Sequence, residues 1–276
     1  MRICSRAVEI DPSYAHAWAL LALAQSSLRY GYGQDIDDGF AAANAALALD
    51  PTIAEAHLPM FKRLQERRQP DAAAAKMEIA IELGADSWSV NKEAGRFYLS
   101  RRDVPAATCH YEKAVELTET DFHAWAMLAT CYSALSEQAK LREAAKRMVS
   151  ESQKAVQQDP SNGAALGILA GGYAILGEVE KTREWIDRAL LIDPDNLNMR
   201  YNFACILAAA LRDKEAALKM LESTLARSGA YQVMIADTDT DFDAIRDDPR
   251  FQKIIADAKK RHGMDENVKA ASAAQL

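Results

Sequence analysis

The sequence predicts an all-α fold, a right-handed α-solenoid of stacked helix pairs closed by a C-terminal capping helix, and three observations carry that prediction. Helix formers dominate: alanine fills about one position in five, while the 276 residues include only 12 glycines and 8 prolines, and aromatics are 7%. The dipeptide Asp-Pro follows an apolar helix end at Asp11, Asp50, Asp159 and Asp193, at intervals of 39, 109 and 34 residues, and the middle interval divides as 34, 34 and 41. Between these stops, apolar residues recur at helical spacing in two runs, and proline ends the second run because it cannot continue a helix.

Residues 1–14 read as a partial repeat, the second helix of a pair alone, with Ala7 and Pro12 where later copies place the same residues. Six full pairs follow over 15–230, in windows 15–53, 54–87, 88–121, 122–162, 163–196 and 197–230. The second and third windows end in AIELGAD and AVELTET, with Ala85 and Glu119 at the proline position. Extra residues around YGYGQDIDDG and SEQAKLREAAKRMVSE give the first and fourth windows a protruding connection or an extended helix. Pro59 falls inside the first helix of the second window, where Phe61 also replaces a small residue. That helix should kink or start late, and 54–66 should be the least regular first helix. Residues 231–263 leave the period, and Phe242, Ile245, Phe251, Ile254 and Ile255 form an apolar face for a cap over the last pair. Residues 264–276 read as a flexible tail.

Several positions agree from copy to copy. Trp18 and Trp125 stand fourth, Ala22, Gly95, Ala129, Ala170 and Ala204 eighth, Tyr98, Tyr132 and Tyr173 eleventh, and Ala46, Ala80, Ala114, Ala155 and Ala189 twenty-seventh. A small eighth residue lets the two helices approach, and the aromatic fills the gap that remains. In period and positions, residues 1–230 resemble the tetratricopeptide repeat. The segment YNFACILAAALRDKEAALKMLE followed by DTDFDAIRDDPRFQKII also resembles the terminal unit of bacterial tetratricopeptide arrays that follow class III nucleotide cyclase, winged-helix regulator or serine/threonine kinase domains. That resemblance implies a bacterial signalling or regulatory protein. The lone leading helix fits the C-terminal part of a longer chain, as does a native start with a frayed helix.

Chemistry is sparse. A formal charge of −7 disfavours nucleic acid and an anionic membrane as partners. Cys4, Cys109, Cys131 and Cys205 are too scattered for a zinc site or a disulfide framework and read as reduced thiols of a cytoplasmic protein. No signal core or membrane-spanning run is visible. Asp237, Asp239, Asp241, Asp243 and Asp248 have the spacing of a calcium loop, but Phe242 stands where its glycine belongs. They read instead as solvated carboxylates beside a helix start capped by Thr240 or Asp241. His16 and His123 repeat in register, which marks a repeat position more than a metal site. With no P-loop, Rossmann fingerprint or nucleophile elbow, the expectation is a non-catalytic scaffold without cofactor or metal.

The tetratricopeptide resemblance implies a concave groove lined by first helices, at positions 2, 5, 9, 12 and 13. Those positions give Lys62 and Gln65, then Ser89, Lys92 and Arg96, then His123, Ala126 and Thr130, a basic centre. Ala164, Gly167, Gly171 and Ala174 follow as a smooth floor, and Asn198, Tyr201 and Cys205 as its end. A peptide or protein domain is the expected occupant, with an acidic group near Lys92 and Arg96. Either cation could instead pair with Glu55, Glu66 or Glu93. The chaperone-tail clamp is not matched: Lys92 fits, but Arg96, Met127, Ala164 and Ile168 do not. The alternative is a regulatory portion serving an upstream domain of the same polypeptide.

Overall fold

A computed structural model describes residues 1–31 and 35–264. The expected tail, apart from Met264, lies outside the described residues, as does the centre of YGYGQDIDDG. The fold is all-α, with no strand among the described residues. In order, the helices are α1 (Arg2–Ile10), α2 (Ala15–Ser26), α3 (Phe40–Leu49), α4 (His57–Glu66), α5 (Pro70–Leu83), α6 (Trp88–Ser100), α7 (Val104–Leu117), α8 (Phe122–Ala134), α9 (Gln138–Gln158), α10 (Gly163–Leu176), α11 (Val179–Ile192), α12 (Leu197–Cys205), α13 (Lys214–Leu225), α14 (Ala230–Thr238) and α15 (Pro249–Arg261). They group into two compact units, Met1–Gln138 and Ala139–Leu276.

In unit 1, α2 packs on α3, α4 on α5 and α6 on α7, while α1 lies against α2 through Cys4, Ala7 and Val8. Beside that contact, α1 leaves Ile3 84% and Ile10 70% exposed. Ala22 and Ala129 are buried, and a Cβ on Gly95 would come within 2.7 Å of the Tyr111 ring, so the small eighth position is what seats that tyrosine. The second window reverses the arrangement. Phe61 is buried against Phe97, edge to face at 5.7 Å, and the alanines opening α5 make room, with Ala73 in the same cluster.

The Asp-Pro stops have a local cause. Asp11, Asp50 and Asp159 each accept from the backbone N–H and the hydroxyl of Ser13, Thr52 and Ser161, two residues on, which turns the chain while proline blocks the helix. The fourth-position side chain ties four of the new first helices back to that stop. Trp18 donates to the Pro12 carbonyl at 2.9 Å, Trp125 to Glu119 at 2.8 Å, Asn91 to Ala85 at 2.9 Å and Arg200 to Pro194 at 3.3 Å. Asn91 and Arg200 thus perform the tryptophan's bond without its shape, which is why residue type alone did not reveal them.

The connection inside a pair is also repeated. After α4, α6, α8 and α10 the N–H of Gln69, Asp103, Glu137 and Glu178 donates back to the carbonyl of Leu64, Tyr98, Tyr132 and Tyr173, over a residue with positive φ. This is the Schellman ending, in which glycine is the relaxed residue. Only Gly177 conforms; Arg68, Arg102 and Ser136 hold φ of 56°, 61° and 59°.

The second window starts late, as Pro59 predicts: Ala54–Ala56 is a 3-10 turn and α4 begins at His57, which leaves Pro59 in the first helical turn, where it is tolerated. It is not uniquely irregular, however. First helices α2 and α12 each end in a π turn, Ser27–Gly31 and Ile206–Ala210, which sequence periodicity does not report. In unit 2 the extra residues of the fourth window lengthen α9 to 21 residues. Here α10 packs on α11 and α12 on α13. The cap is two helices and a 3-10 segment, Thr240–Ile245, and it buries Val233, Phe242, Ile245, Phe251 and Ile255, with Ile254 half-buried. Arg250 pins it to Glu215 of α13 by two bonds of 2.7 and 2.8 Å, and Arg261 donates to the Leu225 carbonyl at the end of α13.

Candidate binding face

In unit 1, α4, α6 and α8 carry Lys62, Lys92, Arg96, His123 and Thr130, and the three cations among them are held in ion pairs and do not form a free basic centre. Glu93 accepts from Lys62 at 3.2 Å and from Arg96 at 2.8 Å, and Asp121 accepts from Lys92 at 2.7 Å. Two carboxylates therefore answer three cations. Sequence reasoning foresaw Glu93 as a partner and missed Asp121, which is twenty-nine residues from Lys92 and reaches it only because it begins α8. Asp121 is saturated: one oxygen caps the His123 and Ala124 N–H groups, the other also takes the Trp88 indole N–H at 3.1 Å.

Accessibility separates these groups. The Lys92 side chain is 14% exposed and that of Lys62 18%, against 48% for Arg96. Arg96 is thus the predicted groove cation that an incoming carboxylate can reach. Thr130 is exposed, its hydroxyl donating to the Ala126 carbonyl. His123 is half-buried and stacked on Phe122 at 4.4 Å; burial lowers its pKa, and Lys92 and Arg96 lower it further against the pull of Asp121. It stands as a neutral ring.

Unit 2 corrects the expected floor and end. A Cβ on Gly167 would meet Met199 at 3.4 Å and one on Gly171 would meet Met148 at 3.2 Å, so these glycines admit side chains of the chain itself. Asn198 is exposed, but Tyr201 is buried: its hydroxyl donates to Asp239 at 2.7 Å and its ring meets Phe242 edge to face at 5.8 Å. The cap covers Tyr201 there.

The calcium loop is not formed. Asp237 pairs with Lys259, Asp243 with Arg246, and Asp248 with Lys214 and Arg250. The capping residues are Asp239 and Asp248, not Thr240 or Asp241. Ligand atoms of Cys205, Asp239 and Asp241 lie within 4.8 Å of one another, but the thiol donates to Asp239, and burial with the two carboxylates pushes its pKa up. No helix among the described residues is long and apolar enough to cross a membrane.

No protein-family model and no curated protein matches the chain. Solved structures do. PilF of Pseudomonas aeruginosa aligns at 17% identity with a TM-score of 0.52, covering 82% of this chain and 98% of that one. Human IFIT1, in a dimer with PPP-AAAA, aligns at 17% and 0.56, covering 95% and 63%. The Cut9–Hcn1 assembly of APC/C aligns at 13% and 0.56, covering 93% and 45%. The fold is that of the tetratricopeptide repeats. At these identities the likeness concerns fold alone, and this chain spans about half to two thirds of the Cut9–Hcn1 and IFIT1 chains.

Proposed function

We propose that this protein is a non-catalytic interaction scaffold whose unit 1 receives a peptide or protein segment along α4, α6 and α8, with an acidic group of the partner at Arg96. The carrying observation is the contrast in accessibility: Lys62 and Lys92 are sunk in pairs, while Arg96 is held by Glu93 yet leaves half of its surface to solvent. A partner carboxylate would share that guanidinium through charge-assisted bonds, and Thr130 and the Phe122–His123 stack would supply neutral contact area. The paired state of the inner cations, together with a chain charge of −7, favours a protein over a nucleic acid, although the IFIT1 relative is seen with PPP-AAAA. In unit 2 the proposed contribution shrinks to Asn198 and the edges of Gly167 and Gly171. Charge reversal at Arg96 should lower partner affinity at least tenfold with helicity unchanged; equal affinity would contradict the reading.

A second reading, a regulatory segment of a larger bacterial signalling enzyme or transcription regulator, is favoured by one observation. The exposed Ile3 and Ile10 form an apolar face on a second-type helix, which another helix would cover. The mass of the native polypeptide in its source cells tests it: a band well above 30.3 kDa supports it and one at that mass contradicts it.

A further inference from the structure

The turns that close α4–α5 and α6–α7 carry the same dipeptide in register, Arg67-Arg68 and Arg101-Arg102, in two copies that share few other residues. The second arginine of each holds the left-handed conformation, at φ of 56° and 61°, as Ser136 and Arg212 do at 59° and 52° in later turns, while Gly177 makes the turn after α10 without strain. A residue with a side chain costs about 1–2 kcal/mol more than glycine there. Such strain persists where the side chain has a use. Compensation of the carbonyl ends of α4 and α6 accounts for positive charge at these turns, but not for its placement on the strained residue.

The four guanidiniums are also unspent. Arg29, Arg63 and Arg96 of the same unit all find carboxylates, at Glu66, Asp38 and Glu93. Arg67, Arg68, Arg101 and Arg102 are exposed and form no ion pair among the described residues; Arg101 only lies over the Phe97 ring at 5.2 Å. We infer that this double-arginine edge of unit 1 is a docking site for an acidic segment of a protein partner. Adjacent pairs are about 10 Å apart at helix-packing distance. Carboxylates three residues apart on a polyproline II segment share one face about 9 Å apart and match that step, and each fork can take a carboxylate through two bonds. A nucleic acid fits less well. The strip is two copies wide, and the connection before it in the chain carries Asp35 and Asp37, which would repel a long polyanion. The inference does not rest on the groove reading, since it uses other residues.

Fluorescence anisotropy of a labelled ten-glutamate peptide, titrated with the full chain at low salt, tests it. Two variants remove the edge differently: Arg67→Glu with Arg101→Glu, and Arg68→Gly with Arg102→Gly, the latter relaxing the backbone so that the fold is kept. Both should weaken binding at least tenfold, while Arg6→Glu, at an exposed arginine of α1 outside either site, changes it less than twofold. Absence of binding by the wild-type chain, or variants that shift only the melting temperature and bind as wild type does, would overturn the site. A labelled ten-adenylate RNA that binds more tightly than the peptide, and loses affinity in the same variants, would overturn the assignment to a protein partner.

Discussion

His57 stands where Trp18 and Trp125 stand in their own copies. It faces the Pro51 carbonyl, yet both ring nitrogens are buried without a hydrogen-bond partner. A tryptophan there would carry its N–H to that carbonyl, as its two counterparts do. His57→Trp should therefore stabilise the protein by about 1 kcal/mol in urea unfolding, the net worth of one hydrogen bond. A loss of similar size would mean that the site has no room for the larger ring. The cysteines differ just as sharply. Cys109 is exposed, whereas Cys131 and Cys205 are buried with thiol pKa values pushed up, chiefly by burial. Under iodoacetamide at pH 8, Cys109 should alkylate before either, and Cys205 only once the cap opens. Mass spectrometry of the labelled peptides reads the order.

At the scale of the element, Asp121 serves α8 in three ways. It caps the helix, receives Lys92 and Trp88, and is 7% exposed. Asp121→Ala should cost about 2 kcal/mol or more, since a cap is lost and Lys92 is left half-buried and unpaired. Lys92→Met should cost much less, because a charge is removed rather than stranded. The within-pair turns give the opposite sign. Arg68→Gly or Arg102→Gly, each relieving a left-handed residue, should raise stability by about 0.5–1 kcal/mol once the greater freedom of glycine in the unfolded chain is counted. Thermal and urea melts of the four variants check both statements.

For the whole molecule, pH acts through histidines. Burial lowers the pKa of His57, His110 and His123 in the folded state. An unfolded histidine takes its proton near pH 6.5, so the folded chain lags behind, and their contribution, intact above that pH, is lost as pH falls through the folded values. The urea midpoint should drop between pH 7 and pH 5, less so in His57→Trp. The repeat was legible from residue type wherever geometry demands one: Asp-Pro stops, small eighth residues, alanine at the twenty-seventh. The residues of the proposed face could be named from the repeat, but their pairing could not. Lys92 reaches Asp121, and Tyr201 reaches Asp239 thirty-eight residues on, only after the helices stack, and no local pattern encodes such pairings. The central claim is that a partner lies on α4, α6 and α8. A photo-crosslinking residue placed at Thr130 in the source cells tests it most directly, with the same residue at exposed Glu116 of α7 as the comparison. The account predicts a discrete protein adduct from position 130 that Arg96→Glu abolishes; equal labelling from both positions, or an adduct indifferent to Arg96, would contradict it.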